Sequence, residues 1–267
     1  NLLDGDTKDL NTNAGAIDFI VTPPANAATT RTYARFRWSS TQNLNSTTAA
    51  TDGEVEDYEA NIALLPAQTC DPSIWYASVA DTDVTSHLRK MTFSGSGYQL
   101  SNKLIPPGTP VNAMRYSNLG YRAQDGYLYG AAPTTAAIMR IGSNGARAAL
   151  PWPVSTAGLP VPPSLNRNYA GGAFSNSGYF YISGGDAKFY KIDVTTNPPT
   201  VVDFIDTVGL TASGPQDFVL TADEKWIYAI YGRAATLGGG TQLVRVSLDN
   251  STGYPKGTIH YISDPLS

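Results

Sequence analysis

A repeat of about 50 residues across the last three-quarters of the chain is the feature that most limits its fold. An aromatic segment recurs as Ile74-Trp-Tyr-Ala77, Tyr127-Leu-Tyr-Gly130, Tyr179-Phe-Tyr-Ile182 and Trp226-Ile-Tyr-Ala229. Its central tyrosines, Tyr76, Tyr129, Tyr181 and Tyr228, are spaced by 53, 52 and 47 residues. A second segment follows each time: Leu88-Arg-Lys-Met91, Ile138-Met-Arg-Ile141, Phe189-Tyr-Lys-Ile192 and Leu243-Val-Arg-Val246. Its basic residues, Lys90, Arg140, Lys191 and Arg245, are spaced by 50, 51 and 54. Turn signals precede the aromatic segment at Gln124-Asp-Gly126, Ser175-Asn-Ser-Gly178 and Ala222-Asp-Glu-Lys225. Two independent landmarks keeping one period mark a copied supersecondary unit.

A unit of that length, built from three or four short strands, has the size of one propeller blade. The two landmark segments are expected to be the middle strands of each blade. Alternation puts both tyrosines of Tyr127-Leu-Tyr-Gly130 on one face and Leu128 on the other. It is expected to turn one side toward a neighbouring blade and leave the basic residue on the other. Four units fit between residues 71 and 267, so a four-bladed ring and a piece of a longer polypeptide are both open, the second being expected. Composition agrees with strands and turns. Only 15% of residues are charged, with 4 Glu and 7 Lys, while Gly numbers 25, Pro 18 and Tyr 16.

Residues 1–65 read differently. Thr32–Ser39 alternates Tyr33, Arg35 and Arg37 with Ala34, Phe36 and Trp38, as a half-buried strand does. Ala16–Thr22, before Pro23-Pro24, and Glu54–Leu65 read as further strands, and Pro66–Pro72 as a linker. The expected class is all-β: a small, partial β-sandwich-like module (1–65), then a β-propeller-like domain (73–267) of about four blades.

Residues 32–62, with Tyr33-Ala-Arg-Phe-Arg37 and Asp52-Gly-Glu-Val-Glu-Asp-Tyr58, resemble the C-terminal end of the GEVED domain. Residues 73–267 are similar to a propeller-like domain of unknown function. The residues that carry this likeness are Asn112–Tyr121, Asp125–Gly130 and the repeated basic strand. The resemblance implies a secreted or surface-anchored bacterial protein of modular β-architecture, serving adhesion, matrix or fibre formation. Neither family implies a defined enzymatic activity.

The search for chemistry finds little. Net charge is −4 and no cluster of five or more basic residues occurs, against a nucleic-acid partner. The longest apolar runs, such as Ala60–Ala67, are far short of a membrane span. His87 and His260 lack metal-ligand spacing and are expected on the surface or in loops. No nucleophile elbow or phosphate loop is present; Gly238-Gly-Gly240 is read as a loop of the fourth blade. No catalytic residue is nominated. Glu54 and Glu56, two apart on a strand, are expected to pair with Arg35 and Arg37, with calcium ligation by Glu54, Glu56 or Asp57 as the alternative. The loop carrying Asp4, Asp6 and Asp9 is the better calcium candidate, and calcium is the one cofactor suggested. Tyr116, Trp152, Tyr169 and Tyr231, outside the landmarks, are the expected exposed aromatics. Cys70, the single cysteine, pairs outside the chain or stays a thiol.

The function expected is a non-catalytic extracellular or cell-surface protein, adhesin-like or fibre-forming. Its expected partners are further copies, other surface proteins or glycans. A secreted glycan hydrolase or lyase and a protein-docking propeller are the alternatives.

Overall fold

The computed structural model describes residues 31–41, 49–61, 65–68, 75–80, 86–95, 97–104, 116–132, 135–155, 158–163, 171–183, 187–207, 217–232 and 241–264. Contacts divide the chain into two units, Asn1–Leu64 and Leu65–Ser267. The described residues hold strands, turns and short 3-10 turns, among them Asn250–Thr252, and no α-helix. The chain is all-β.

In the first unit, β1 (Arg31–Trp38) and β2 (Glu54–Asn61) form an antiparallel hairpin pairing Trp38 with Glu54 and Arg35 with Asp57. Its turn explains the Asp52-Gly53 dipeptide. Gly53 adopts φ +96°, and a Cβ there would lie 1.7 Å from the Trp38 carbonyl oxygen, so no side chain fits. Asp52 accepts from the Ser39 hydroxyl at 2.7 Å and the Ser40 amide at 3.2 Å, tying the loop ends together.

Among the described residues the second unit contains four sheets in chain order, antiparallel except for one short strand. The first is β3 (Trp75–Ala80), β4 (Ser86–Ser94) and β5 (Gly97–Leu100). Next come β6 (Ser117–Arg122), β7 (Tyr127–Ala132), β8 (Ala137–Ile141) and β9 (Arg147–Pro151). The third has β11 (Gly172–Phe174), β12 (Phe180–Ser183), β13 (Lys188–Asp193) and β14 (Thr200–Asp206), with β10 (Val154–Ser155) parallel to β14. The fourth is β15 (Asp217–Leu220), β16 (Trp226–Gly232), β17 (Thr241–Ser247) and β18 (Ile259–Tyr261).

Both landmarks meet in every sheet. Tyr76 faces Lys90, Tyr129 faces Arg140, Tyr181 faces Lys191 and Tyr228 faces Arg245. The landmark strands are the middle pair in the second and fourth sheets and interior in the third. In the first sheet β3 lies at the edge among the described residues.

Each sheet therefore has a tyrosine face and an opposite face, and three apolar clusters join consecutive sheets. Leu88, with Tyr76 against it, meets Leu128, Met139 and Ile141 on the opposite face of the second sheet. Tyr129, Ile138 and Leu150 meet Phe180, Ile182, Tyr190 and Ile192 of the third. Tyr181, Phe189 and Ile205 meet Ile227, Ala229, Val244 and Val246 of the fourth. The rule is constant: a tyrosine face covers the opposite face of the next sheet. A fully buried Ile or Phe contributes about 1.5–3 kcal/mol, so these seams carry most of the unit's stability.

This corrects one expectation. The basic residue is not on the side away from the neighbour; it shares the tyrosine face, because directly opposed residues of antiparallel strands point the same way. Both faces of the inner sheets are covered.

The first strands are also neighbours, with β11 against β6 and β15. A Cβ on Gly172 would lie 2.3 Å from the Asn118 carbonyl oxygen, so that approach requires glycine. Residues 66–68, the start of the segment read as a linker, lie along the second sheet. There Ser143 N–H donates to Pro66 at 3.0 Å, Gln68 N–H to Gly126 at 2.5 Å and the Tyr127 hydroxyl to Leu65 at 2.8 Å.

Candidate functional site

The side chains with the most chemical potential in the repeats gather on the tyrosine faces. Two aromatics two residues apart on one strand and a cation opposite them stack in sequence. The Arg140 guanidinium lies 5.0 Å from the Tyr127 ring centre, and the Arg245 guanidinium 4.3 Å from Trp226. Lys191 Nζ lies 4.4 Å from Tyr179 and 5.8 Å from Tyr181. Contacts of this kind contribute about 0.5–1 kcal/mol when exposed and about 2 when desolvated. The ring supplies what hydrogen bonds do not: Nε of Arg140 and of Arg245 is buried with no hydrogen-bond partner among the described residues.

Burial sets the character of two of these phenols. Burial first, then the hydrogen bond to Asp125, pushes the Tyr129 hydroxyl far above its ordinary value. Burial likewise leads the upward shift of Tyr181, with Glu224 next. Neither phenol ionises in the physiological range, so neither is a general base. Asp125 is occupied, accepting from Tyr129 Oη at 2.7 Å, Arg122 at 2.8 Å and the Tyr127 amide at 3.2 Å.

The turns that precede the aromatic strands form a ladder between sheets. The Gln124 amide donates to Asn176 O at 2.7 Å, and the equivalent Asn176 amide donates to Ala222 O at 2.9 Å. Arg122 Nε donates to Gly178 O at 3.2 Å, and Ser177 Oγ to Glu224 at 2.7 Å. In the fourth sheet the position of Gln124 and Asn176 is Asp223, a carboxylate that cannot donate onward.

The fourth sheet adds an aromatic cluster. His260, opposite Arg245, lies 4.3 Å from the Tyr254 ring and 5.7 Å from Trp226, and its Nε2 has no hydrogen-bond partner among the described residues.

Of the residues singled out in the sequence, Asp4, Asp6, Asp9, Tyr169 and Cys70 lie outside the described residues. Arg35 holds Asp57 in a two-point pair, with both contacts at 2.8 Å. That guanidinium keeps the Asp57 carboxyl below the usual carboxylate range, chiefly through the hydrogen bond. The expected partners Glu54 and Glu56 instead share the face of Trp38 and Phe36. The reason is register: the pairing sets odd-numbered residues of β1 against odd-numbered ones of β2, a parity that strand periodicity alone does not specify. Glu56 accepts from the Tyr58 hydroxyl, which raises that phenol's pKa. The described residues contain no group of three or more metal-ligating side chains.

Two further expectations are corrected. His87 is buried in β4 and His260 is half-buried in β18, so neither is a surface or loop residue. Tyr116 and Tyr231 are buried, not exposed, and Trp152 is half-buried with its indole N–H donating to Pro162 O at 2.8 Å. Tyr231 is buried because β16 continues to Gly232, which places it in phase with Ile227 and Ala229. Sequence reasoning missed Asp125, visible only as part of a turn, and Asn118, whose amide donates to Gly171 O at 2.5 Å between first strands.

These features define an all-β repeat protein of propeller-like sheets whose side chains are mutually engaged. The chain belongs to the family described as a repeat of unknown function (DUF6923), matched over residues 76–221, and residues 4–61 match the GEVED domain. No curated protein is similar enough to be matched. Solved structures that resemble it include an auxiliary nutrient binding protein from Bacteroides thetaiotaomicron, at 11% identity and TM-score 0.46, over 75% of this chain and 41% of that one. TolB from Acinetobacter baumannii matches at 15% identity and TM-score 0.43, over 82% and 48%. A virginiamycin B lyase from Staphylococcus aureus matches at 12% and 0.39, over 79% and 60%. The chain thus spans about half the length of these proteins. No helix among the described residues is long and apolar enough to cross a membrane.

Proposed function

We propose that this is a non-catalytic extracellular or cell-surface bacterial protein, in which the repeats form a structural or adhesive scaffold. The observation that supports this most directly is the fourfold pairing of a landmark tyrosine with a basic residue across adjacent strands. A reactive set is needed once, at one place in a molecule. A pair copied in every sheet, with the cation over a ring in the second, third and fourth, suits packing instead. The low charged fraction, 15% of residues, accompanies this reading.

The test has two arms. Fractionation of the source bacterium should recover the protein in the surface or secreted fraction. Purified protein offered a broad panel of glycans should leave them intact. Glycan turnover that co-purifies with the protein would overturn the reading in favour of an enzyme.

A further inference from the structure

We infer that the tyrosine face of the fourth sheet docks onto the opposite face of the first sheet of a second copy, joining the chains head to tail. Position by position, the residue two before each basic landmark decides the matter. Leu88, Ile138 and Phe189 are 1%, 0% and 0% exposed, each beneath the next sheet, whereas Leu243 is 37% exposed. Its neighbours on that face, Ile230 and Val219, are 50% and 62% exposed. The fourth sheet therefore presents the covering surface that its predecessors bury, with no next sheet among the described residues to receive it.

The complementary surface is at the other end. One residue after each basic landmark, Ile141, Ile192 and Val246 are fully buried against the preceding sheet, while Met91 is half-exposed. Met91 pairs with Leu100, 41% exposed, on the face that also carries Tyr98, 63% exposed. The two ends are thus unlike each other, and each matches the type of surface that covers the other three times inside the molecule. Continuity with that internal seam selects the occupant: a second copy carries both a covering face and a face of the kind that is covered. Such a contact is heterologous, so it closes into a ring or continues as a filament. Two copies would contribute eight sheets, within the range of known propeller rings. Apolar patches of this kind on a β-protein are otherwise an aggregation liability.

The inference deepens the scaffold reading and rests on it, yet fails separately. The test uses the full chain, sized by light scattering after gel filtration over a range of concentrations. A tail variant carries Ile230→Lys with Leu243→Lys; a head variant carries Tyr98→Lys with Leu100→Lys. All four residues are exposed, so each variant should keep the strand signature in circular dichroism and its thermal midpoint. The unaltered chain should form dimers or longer assemblies, and each variant alone should associate roughly tenfold or more weakly, a difference of about 1.4 kcal/mol. Mixing the two variants should restore one dimer, since the mixture keeps one intact tail and one intact head. An unaltered chain that stays monomeric overturns the pairing, as does a dimer that either variant leaves unchanged or a mixture that stays monomeric. Those outcomes leave the non-catalytic reading standing, whereas glycan turnover by an assembled protein would overturn that reading and spare the pairing.

Discussion

The hairpin β1–β2 and the four-sheet unit place the same materials, aromatics and charges on alternating strands, in opposite settings. In the hairpin, Tyr33, Trp38 and Tyr58 are exposed, and Arg35 meets Asp57 at the surface. In the repeats, Tyr129 and Tyr181 are buried and their cations lie over rings between sheets. The pairing chemistry on a strand is local, but its energetic weight is set by what covers the strand. An ion pair in water contributes little, while a ring or methyl sealed between sheets contributes several times more.

The sharpest way to break that comparison is to truncate one repeat position in two settings. Phe189→Ala, beneath the fourth sheet, should cost about 3–5 kcal/mol, whereas Leu243→Ala, at the equivalent open position, should cost under about 1 kcal/mol in the monomer. Urea denaturation monitored by tryptophan fluorescence measures both. Equal losses would mean that the third and fourth tyrosine faces are covered alike.

Asp125→Ala comes next. It leaves the Tyr129 hydroxyl and Arg122 without their acceptor, and should lower stability by about 2 kcal/mol, read as a shift of the denaturation midpoint at constant slope. Arg245→Met should cost about 0.5–1 kcal/mol, because the aliphatic part of the side chain stays against Trp226 and only the cation is lost. A larger loss would show that Arg245 carries a buried polar contact as well as the ring.

The smallest effect is in the hairpin. Asp57 should titrate below about 3.9 in a carbon-detected NMR titration, and Arg35→Met should return it toward that value. Because the folded pKa is depressed, the pair's contribution is present above the unfolded value and is lost as pH falls through the folded one. An Asp57 midpoint unmoved by Arg35→Met would assign the shift elsewhere.

Much of the architecture was legible in the chain. The strands at Tyr127–Ala132 and Ala137–Ile141, and the turn at Gln124–Gly126 before them, are written in local alternation and turn chemistry. Less was legible where strand length or register entered. Reading the Trp226 strand as four residues left Tyr231 outside it and apparently exposed. Reading Arg35 against glutamates missed Asp57, since a one-residue slip exchanges every partner. Asp125 looked like an ordinary turn aspartate until Arg122 and Tyr129 converged on it.

What the amino-acid order determined alone was the repeat and its strands, whereas the register that sets each tyrosine opposite a basic residue came from the structure. The strands follow from period-2 geometry and short connections, which act over a few residues. The tertiary structure decided which face of each sheet is sealed and which stays open. Burial belongs to the neighbouring sheet as much as to the strand itself, so Phe189 and Leu243, equivalent in sequence, end in different surroundings.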